Sequence, residues 1–357
     1  MNNILKFFMT DNTAILLCNL GSPDDCSEAS VRRYLDQFLM DPSVIQLPWI
    51  VRRLIVSLLV LPKRPKSSAA AYAKIWTKQG SPLVALSQKL LRSVEKNVKQ
   101  PAFLAMRYGN PSIESQILAI SAISSIEQIY FIPLYPHYAD STVATSVMEA
   151  ERVIKKHQLD LTLNVKPPFY NDPDYIKSLV EHSSSYIFKQ ASENETLDRK
   201  NIPHLIFSYH GLPESHLRKA DPTGNHCLVD KSCCQTQSDA HKTCYRHQVL
   251  ETTRLFVEAI GLKPSQYSIS FQSRLGRAKW LEPSTETTLI DLANRGIKDV
   301  VVICPAFTTD CLETLEEIAI QGEQTFKKAG GRSLKLIPCL NDNPYWVKTI
   351  AGWCQSK

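Results

Sequence analysis

Eight short runs of apolar, β-prone residues fix what this chain can become. They are Ala14–Cys18, Ala102–Met106, Ile129–Leu134, Leu161–Val165, Leu205–Tyr209, Tyr267–Phe271, Val300–Cys304 and Leu334–Pro338. Most are continuous rather than alternating, the pattern of strands covered on both faces. Between them stand segments of helical period, among them Ile113–Ile126, Tyr175–Gln190, Val249–Ile260 and Thr285–Asn294. Strand–helix alternation of this kind specifies parallel sheets joined by right-handed crossovers.

The runs form two groups of four on either side of Pro167–Pro173, where three prolines exclude both a helix interior and a central strand. The expected fold is therefore α/β, with two similar doubly wound, Rossmann-like domains, each on a four-stranded parallel sheet. Their expected bounds are 1–168 and 169–357, the last helix being a candidate to pack back on the first half. The 357 residues, 43% hydrophobic and 21% charged, suffice for two domains with real cores. Ligands of such folds bind beyond the carboxyl ends of strands. Those ends carry Arg107-Tyr108, Tyr135–Tyr138, His210-Gly211, Gln272–Arg274 and Pro305–Cys311, and halves that face each other would line one cleft with them.

A net charge of +6 suits an anionic ligand or an acidic membrane surface and is too mild to argue for nucleic acid. The N-terminal apolar patch Ile4–Met9 has no basic start and no small-residue cleavage site after it, so no secretory signal is expected. No run reaches the roughly 18 apolar residues of a spanning helix. Of ten cysteines, six are scattered, as expected of thiols kept reduced in the cytosol.

Chemistry concentrates at few positions. In Ser208–Pro213 a strand ends at His210, and Gly211 and Pro213 force a turn. His210 is either a strand-terminal structural residue or a general base or metal ligand at a cleft mouth, since neutral imidazole offers one basic lone pair. In Thr308–Glu317, Asp310 and Glu313 read as a capping-box-like helix start. Glu313 and Glu317 also share one helix face and can bind or pass a cation, or relay protons. Arg107 is suited to pair with a ligand carboxylate, and Trp280 to form a flat wall for an aromatic ligand.

Taken in order, the motifs resemble those of the ferrochelatases, which insert ferrous iron into a porphyrin. They are Leu17–Pro23, Gly80–Leu83, Met106–Gly109, Pro133–Tyr138, Ser208–Pro213, Phe271–Arg277 and Cys304–Ile318, and they span nearly the whole chain. Cys311–Ile318 looks most like the Gram-negative bacterial branch. The resemblance implies a lyase acting on protoporphyrin IX and ferrous iron, with coproporphyrin as the alternative substrate; a non-catalytic tetrapyrrole or metal binder is the competing class. It implies that His210 and Glu313 lie on opposite faces of the macrocycle and handle protons and iron, in an order left open. It further implies that Glu317 lies on the metal path and that Tyr72, Ser81, Arg107, Tyr108, Tyr135 and Trp280 line the porphyrin pocket. Two positions depart from many relatives: Cys311 stands where a histidine is common, and Leu20 where some carry methionine.

Between Asp221 and Arg246 the chain is longer than its simplest bacterial relatives. This insert holds Cys227, Cys233, Cys234 and Cys244, with His226, His241 and His247 nearby. Four thiolates suit a 2Fe–2S cluster, which some ferrochelatases carry; zinc and an unmetallated loop are the alternatives. The apolar segment Leu47–Leu61, punctuated by Arg52 and Arg53 and followed by Lys63, Arg64 and Lys66, is either a buried helix or an interfacial surface on the inner membrane. The expected location is the cytoplasm, peripheral to that membrane. No feature sets an oligomeric state.

Overall fold

The computed structural model describes residues 10–188, 202–274, 276 and 278–355. The patch Ile4–Met9, residue Gln190, and Leu275 and Arg277 of the Phe271–Arg277 motif lie outside them. Eight strands form where the apolar runs stand: β1 Thr13–Ser22, β2 Ala102–Gly109, β3 Gln128–Pro133, β4 Thr162–Val165, β5 His204–His210, β6 Tyr267–Gln272, β7 Asp299–Ile303 and β8 Ser333–Leu336. They make two four-stranded sheets of one topology, ordered β2-β1-β3-β4 and β6-β5-β7-β8. Every pairing is parallel. In each sheet the chain leaves the first strand to one side and returns to the other. The first and third strands are therefore neighbours whose connections diverge, which opens a crevice beyond their carboxyl ends.

Helices close the faces of both sheets. Leu16, Ile129 and Phe131 meet Ile113, Ile117 and Ile120 of the helix Ile113–Ser121 and Val153 of the helix Thr145–Lys156. In the second sheet Ile206, Val300 and Val302 meet Leu289, Leu292, Ile318 and Phe326. Polar side chains start several helices by accepting an N–H that the helix itself leaves unpaired. Ser112 accepts from Ser115, Asp172 from Asp174 and Tyr175, and Ser284 from Thr287. The helical period read over Ile113–Ile126 ends earlier, at Ser121, and the helix after the proline linker runs Pro173–Ile187.

The packing separates two units. One comprises the described residues up to Tyr135, Asp140–Pro168 and the described residues from Asn341 on; the other comprises Pro136–Ala139 and Phe169–Leu340. The described residues from Asn341 on thus group with the first half. Within the first unit the helix Pro344–Gln355 packs on the helix Pro82–Glu95, and Lys166 lies 4.0 Å from the centre of the Trp353 ring.

Candidate functional site

In the second unit the chemistry gathers where β5 and β7 end. His210 closes β5, and its Nδ1 lies 2.6 Å from the Gly211 carbonyl oxygen. A carbonyl only accepts, so Nδ1 carries a proton, and Nε2 is the nitrogen that bears the lone pair whenever the ring holds a single proton. The Tyr245 hydroxyl donates to the carbonyl of His210 at 2.8 Å, and the Phe307 ring stands 6.2 Å from the imidazole. Gly211 is required by close approach. Its N–H donates to the Gln272 carbonyl at 2.7 Å, and a Cβ there would stand 2.9 Å from that oxygen and 3.2 Å from Cε3 of Trp280. Trp280 therefore braces the turn that follows His210.

Gln272 sits opposite His210 on the neighbouring strand and is buried. Its Oε1 accepts from the Ser208 hydroxyl at 2.7 Å, and its Nε2 donates to the Glu313 carbonyl at 2.9 Å. One amide thus ties the end of β5 to the start of the segment Glu313–Gly322. That segment is a π-helix, and Gln321 donates to the carboxylate of Glu316, five residues back, in keeping with its wider repeat. Glu313 and Glu317 share a face of it. Both oxygens of Glu317 accept from Ser273, a non-glycine residue with φ of +68°. Burial is the largest influence on the Glu317 carboxyl and raises its pKa; Ser273 and the field of His210 oppose the rise, while Glu313 adds to it. These couplings place His210 and Glu313 each within electrostatic reach of Glu317. The adjacent Cys311 thiol is held protonated by burial and by the Glu313 carboxylate, to which it hydrogen-bonds.

The capping role expected of Asp310 is corrected. The side chain is buried and accepts from the Thr314 hydroxyl at 3.0 Å and from the Cys339 N–H at 3.2 Å, so it binds the loop to the strand-end segment. His137, in the Pro133–Tyr138 motif, is also structural. Thr252 spends its hydroxyl proton on the Tyr170 carbonyl, so His137 Nε2 must donate to Thr252 at 2.9 Å. Burial then pulls the His137 pKa down to about 3 and keeps the ring neutral.

The first unit holds the other expected pocket residues. Tyr72 is buried edge-on to Trp76, and Ser81 is buried where the helix Pro82–Glu95 begins. Tyr135, buried just beyond β3, belongs to the same unit. Arg107, read from sequence as a partner for a ligand carboxylate, is already committed. Its Nη2 lies 2.6 Å from Oδ2 of buried Asp41, and its Nε donates to the Thr145 hydroxyl at 2.9 Å. The hydroxyls of Tyr108 and Thr145 also donate to Asp41, at 2.8 and 2.5 Å. Asp41 was not legible as a functional residue, because these partners stand 66 to 104 residues away. Gln272 and Ser273 lie inside a motif that the sequence singles out, but nothing in their types predicts the roles they take.

The insert draws its thiols together. Cys227, Cys234 and Cys244 pack around Ala240. Both Cys227 and Cys234 hydrogen-bond to the Cys244 sulfur, and with the His247 N–H these contacts pull the Cys244 thiol down to about 6 against burial. Cys233 is buried, with Arg246 Nη1 3.7 Å from its sulfur. His226 and His247 donate to the carbonyls of Cys233 and Cys234, and His241 stacks on His247 at 3.5 Å. The four sulfurs match a four-thiolate ligand set in chemistry. Among the described residues, however, no set of three or more His, Cys, Asp or Glu side chains has the geometry to hold a metal ion as it stands.

The segment expected as either a buried helix or a surface is turned inside out. A helix Trp49–Leu54 runs into a π-helix Ile55–Val60. Trp49, Ile50, Leu58 and Leu59 are 63, 68, 66 and 68% exposed, whereas Arg52 is 5% exposed and donates to the carbonyls of Ile45 and Leu47. A buried apolar helix is therefore excluded. Among the described residues no helix is long and apolar enough to cross a membrane.

Comparison with known proteins gives one answer. The family model described as ferrochelatase matches residues 12–357. The ferrochelatases of Pseudomonas fluorescens (strain Pf0-1) and Ectopseudomonas mendocina are each 51% identical over 349 residues, covering 97% of this chain and 98% of theirs. That of Stutzerimonas stutzeri is 49% identical over 343 residues, covering 96% and 97%. Among solved structures, the sirohydrochlorin chelatase SirB of Bacillus subtilis subspecies spizizenii, in complex with cobalt, matches with a TM-score of 0.53 at 11% identity. It covers 96% of this chain and 94% of that one, a likeness of fold alone.

Proposed function

The chain belongs to the ferrochelatase family, and on that premise we propose that it is a lyase that inserts ferrous iron into protoporphyrin IX to give protohaem, the last step of haem synthesis. The observation that supports the residue assignment is that His210, its Nδ1 donating to the Gly211 carbonyl, and Glu313 both act electrostatically on the Glu317 carboxyl. Metallation removes two pyrrole protons and brings in one dication. His210, its tautomer fixed by Gly211, takes the two pyrrole protons in turn on Nε2 and passes each on to solvent. Glu313 and Glu317 supply the negative charge that draws the incoming iron. Tyr72, Ser81, Tyr108, Tyr135 and Trp280 line the macrocycle, with Arg107 set among them by Asp41. Binding that bends the ring tips pyrrole lone pairs toward the metal, which is distortion toward the transition state.

The test is iron-dependent quenching of porphyrin fluorescence, run side by side on protoporphyrin and coproporphyrin. Wild type is expected to prefer protoporphyrin. His210→Ala and Glu313→Ala are each expected to lose about a hundredfold or more in turnover, the scale of a positioned acid–base group. Normal turnover in both variants sinks the assignment.

The insert, on this reading, carries a 2Fe–2S cluster held by Cys227, Cys233, Cys234 and Cys244. The support is the convergence of Cys227 and Cys234 on the Cys244 sulfur, which accepts from both, with Cys233 also buried in the insert. When bound, such a cluster supplies a redox-sensitive cross-link to the insert. Anaerobically purified protein should contain about two irons and two sulfides per chain; colourless protein containing zinc overturns the assignment. The exposed apolar arm, with Lys63, Arg64 and Lys66 exposed beside it, is assigned to peripheral contact with an anionic membrane from the cytoplasmic side.

A further inference from the structure

The helix Tyr245–Ile260 begins in the insert and reaches the site in its first residue. Cys244 is its N-cap: the Cys244 sulfur accepts the His247 N–H at 3.5 Å while also receiving Cys227 and Cys234. The next residue, Tyr245, is buried and donates its hydroxyl to the carbonyl of His210 at 2.8 Å. We propose that Tyr245 is a positioning residue that couples the state of the four-thiol insert to the imidazole of His210. The proposal rests on the reading of His210 as the metallation base.

The rest of the helix is held from within. Gln248 accepts from the Tyr138 N–H at 2.7 Å and donates to the carbonyls of His241 and Lys242. Thr252 donates to the Tyr170 carbonyl, and Thr253 bonds the Tyr209 hydroxyl at 2.7 Å. A change at the Cys244 sulfur, whether metal, disulfide or alkyl group, therefore falls on the first turn, whose capping bond it alters directly. In that turn Tyr245 is the side chain that touches the His210 backbone. Its ring stands edge-on to His137, 5.7 Å away at 76°. The ring of His210 is itself pinned to the backbone through Gly211, so a displaced His210 carbonyl re-aims Nε2.

The test is a double-mutant cycle in the full chain: wild type, Tyr245→Phe, Cys244→Ser and the double variant. Tyr245→Phe keeps the ring and removes the hydroxyl. The first readout is the rate at which diethyl pyrocarbonate modifies His210, followed by peptide mass spectrometry, which needs no turnover. The second is kcat against KM for iron and for porphyrin. Each single variant is expected to change the modification rate by about fivefold, the scale of one hydrogen bond, and to lower kcat with KM held. The double variant should match Tyr245→Phe alone, because the coupling has one carrier. Additive effects, or an unchanged His210 rate in Cys244→Ser, overturn the proposal. If Cys244→Ser fails to fold by circular dichroism, Cys227→Ser, which touches the Cys244 sulfur from outside the helix, replaces it under the same criteria. Should His210→Ala retain full turnover, the metallation reading fails, whereas the modification rates still decide the coupling.

Discussion

Both carboxylate oxygens of Glu317 are taken by one residue: the Ser273 N–H donates at 2.7 Å and the Ser273 hydroxyl at 2.5 Å. Ser273 adopts a left-handed backbone to do so, a conformation costly for a side chain with a Cβ. The protein thus accepts local strain to keep a carboxyl group in a largely buried position within the field of Glu313.

That arrangement predicts a trade between stability and function. Burial, opposed by Ser273 and His210 and reinforced by Glu313, raises the Glu317 pKa above its ordinary 4.5. A carboxyl with a raised folded pKa stabilises below its unfolded pKa, and that contribution is lost as pH rises through the folded value. Glu317→Gln, which stays neutral, should therefore melt near wild type at pH 4 and increasingly above it toward neutrality. Its iron-insertion rate should fall. A melting difference that does not grow with pH would show that the carboxyl carries no such burden.

Much of this was legible beforehand, for reasons that differ by residue. All eight strands showed because burial on both faces leaves continuous apolar runs such as Val300–Cys304, and the repeated strand order then puts strand-end residues such as His210 at a crevice. The π-helices left no trace, since a side chain such as Glu317 follows Glu313 by four residues in either helix type. The Asp41 partner of Arg107 was hidden because a guanidinium at a strand end looks the same whatever carboxylate it meets. Asp310 fitted a capping pattern, yet its acceptor went to Thr314 and Cys339, the latter distant in sequence. In the segment Leu47–Leu61 hydropathy alone does not decide, because Arg52 faces inward while Leu54, Leu58 and Leu59 face outward.

Asp41 makes the second prediction. Burial raises its pKa, but the bonds from Thr145, Ser43 and Tyr108 and the charge of Arg107 outweigh that and hold it below its ordinary 3.8. A depressed folded pKa stabilises above the unfolded value and loses that contribution as pH falls through the folded one. Asp41→Asn leaves Arg107 without its counter-charge at a largely buried position and should cost about 3 kcal/mol at neutral pH. The deficit should shrink in acid, below pH 3.8. A deficit equal at pH 7 and pH 3 would mean that shape, not charge, sets the contribution of Asp41.

The exposed arm makes the third. Ile50→Glu and Leu58→Glu place charge where side chains are already in solvent, so the unfolding free energy should hold within about 0.5 kcal/mol. Sedimentation with vesicles of anionic lipid should drop severalfold for either variant, and wild-type binding should weaken with salt as the Debye length shortens. Equal binding of wild type to neutral and anionic vesicles would remove the electrostatic part of the assignment.

Gly211 gives the sharpest test of how the site is aimed. Alanine there brings a Cβ to 2.9 Å from the Gln272 carbonyl, a backbone atom that cannot rotate away, and to 3.2 Å from Trp280. The strand ends must part. The Gly211 N–H bond to that carbonyl then lengthens from 2.7 Å, and the carbonyl of Gly211 that fixes Nδ1 of His210 moves with it. Overpacking of this kind costs about 1–3 kcal/mol. Because the disturbance falls on the turn that orients the imidazole, kcat should fall by at least about tenfold, the change expected when a reacting group is misplaced, while porphyrin KM holds. A variant that loses stability yet keeps kcat would separate the aim of His210 from the Gly211–Gln272 contact and leave that contact a matter of folding alone.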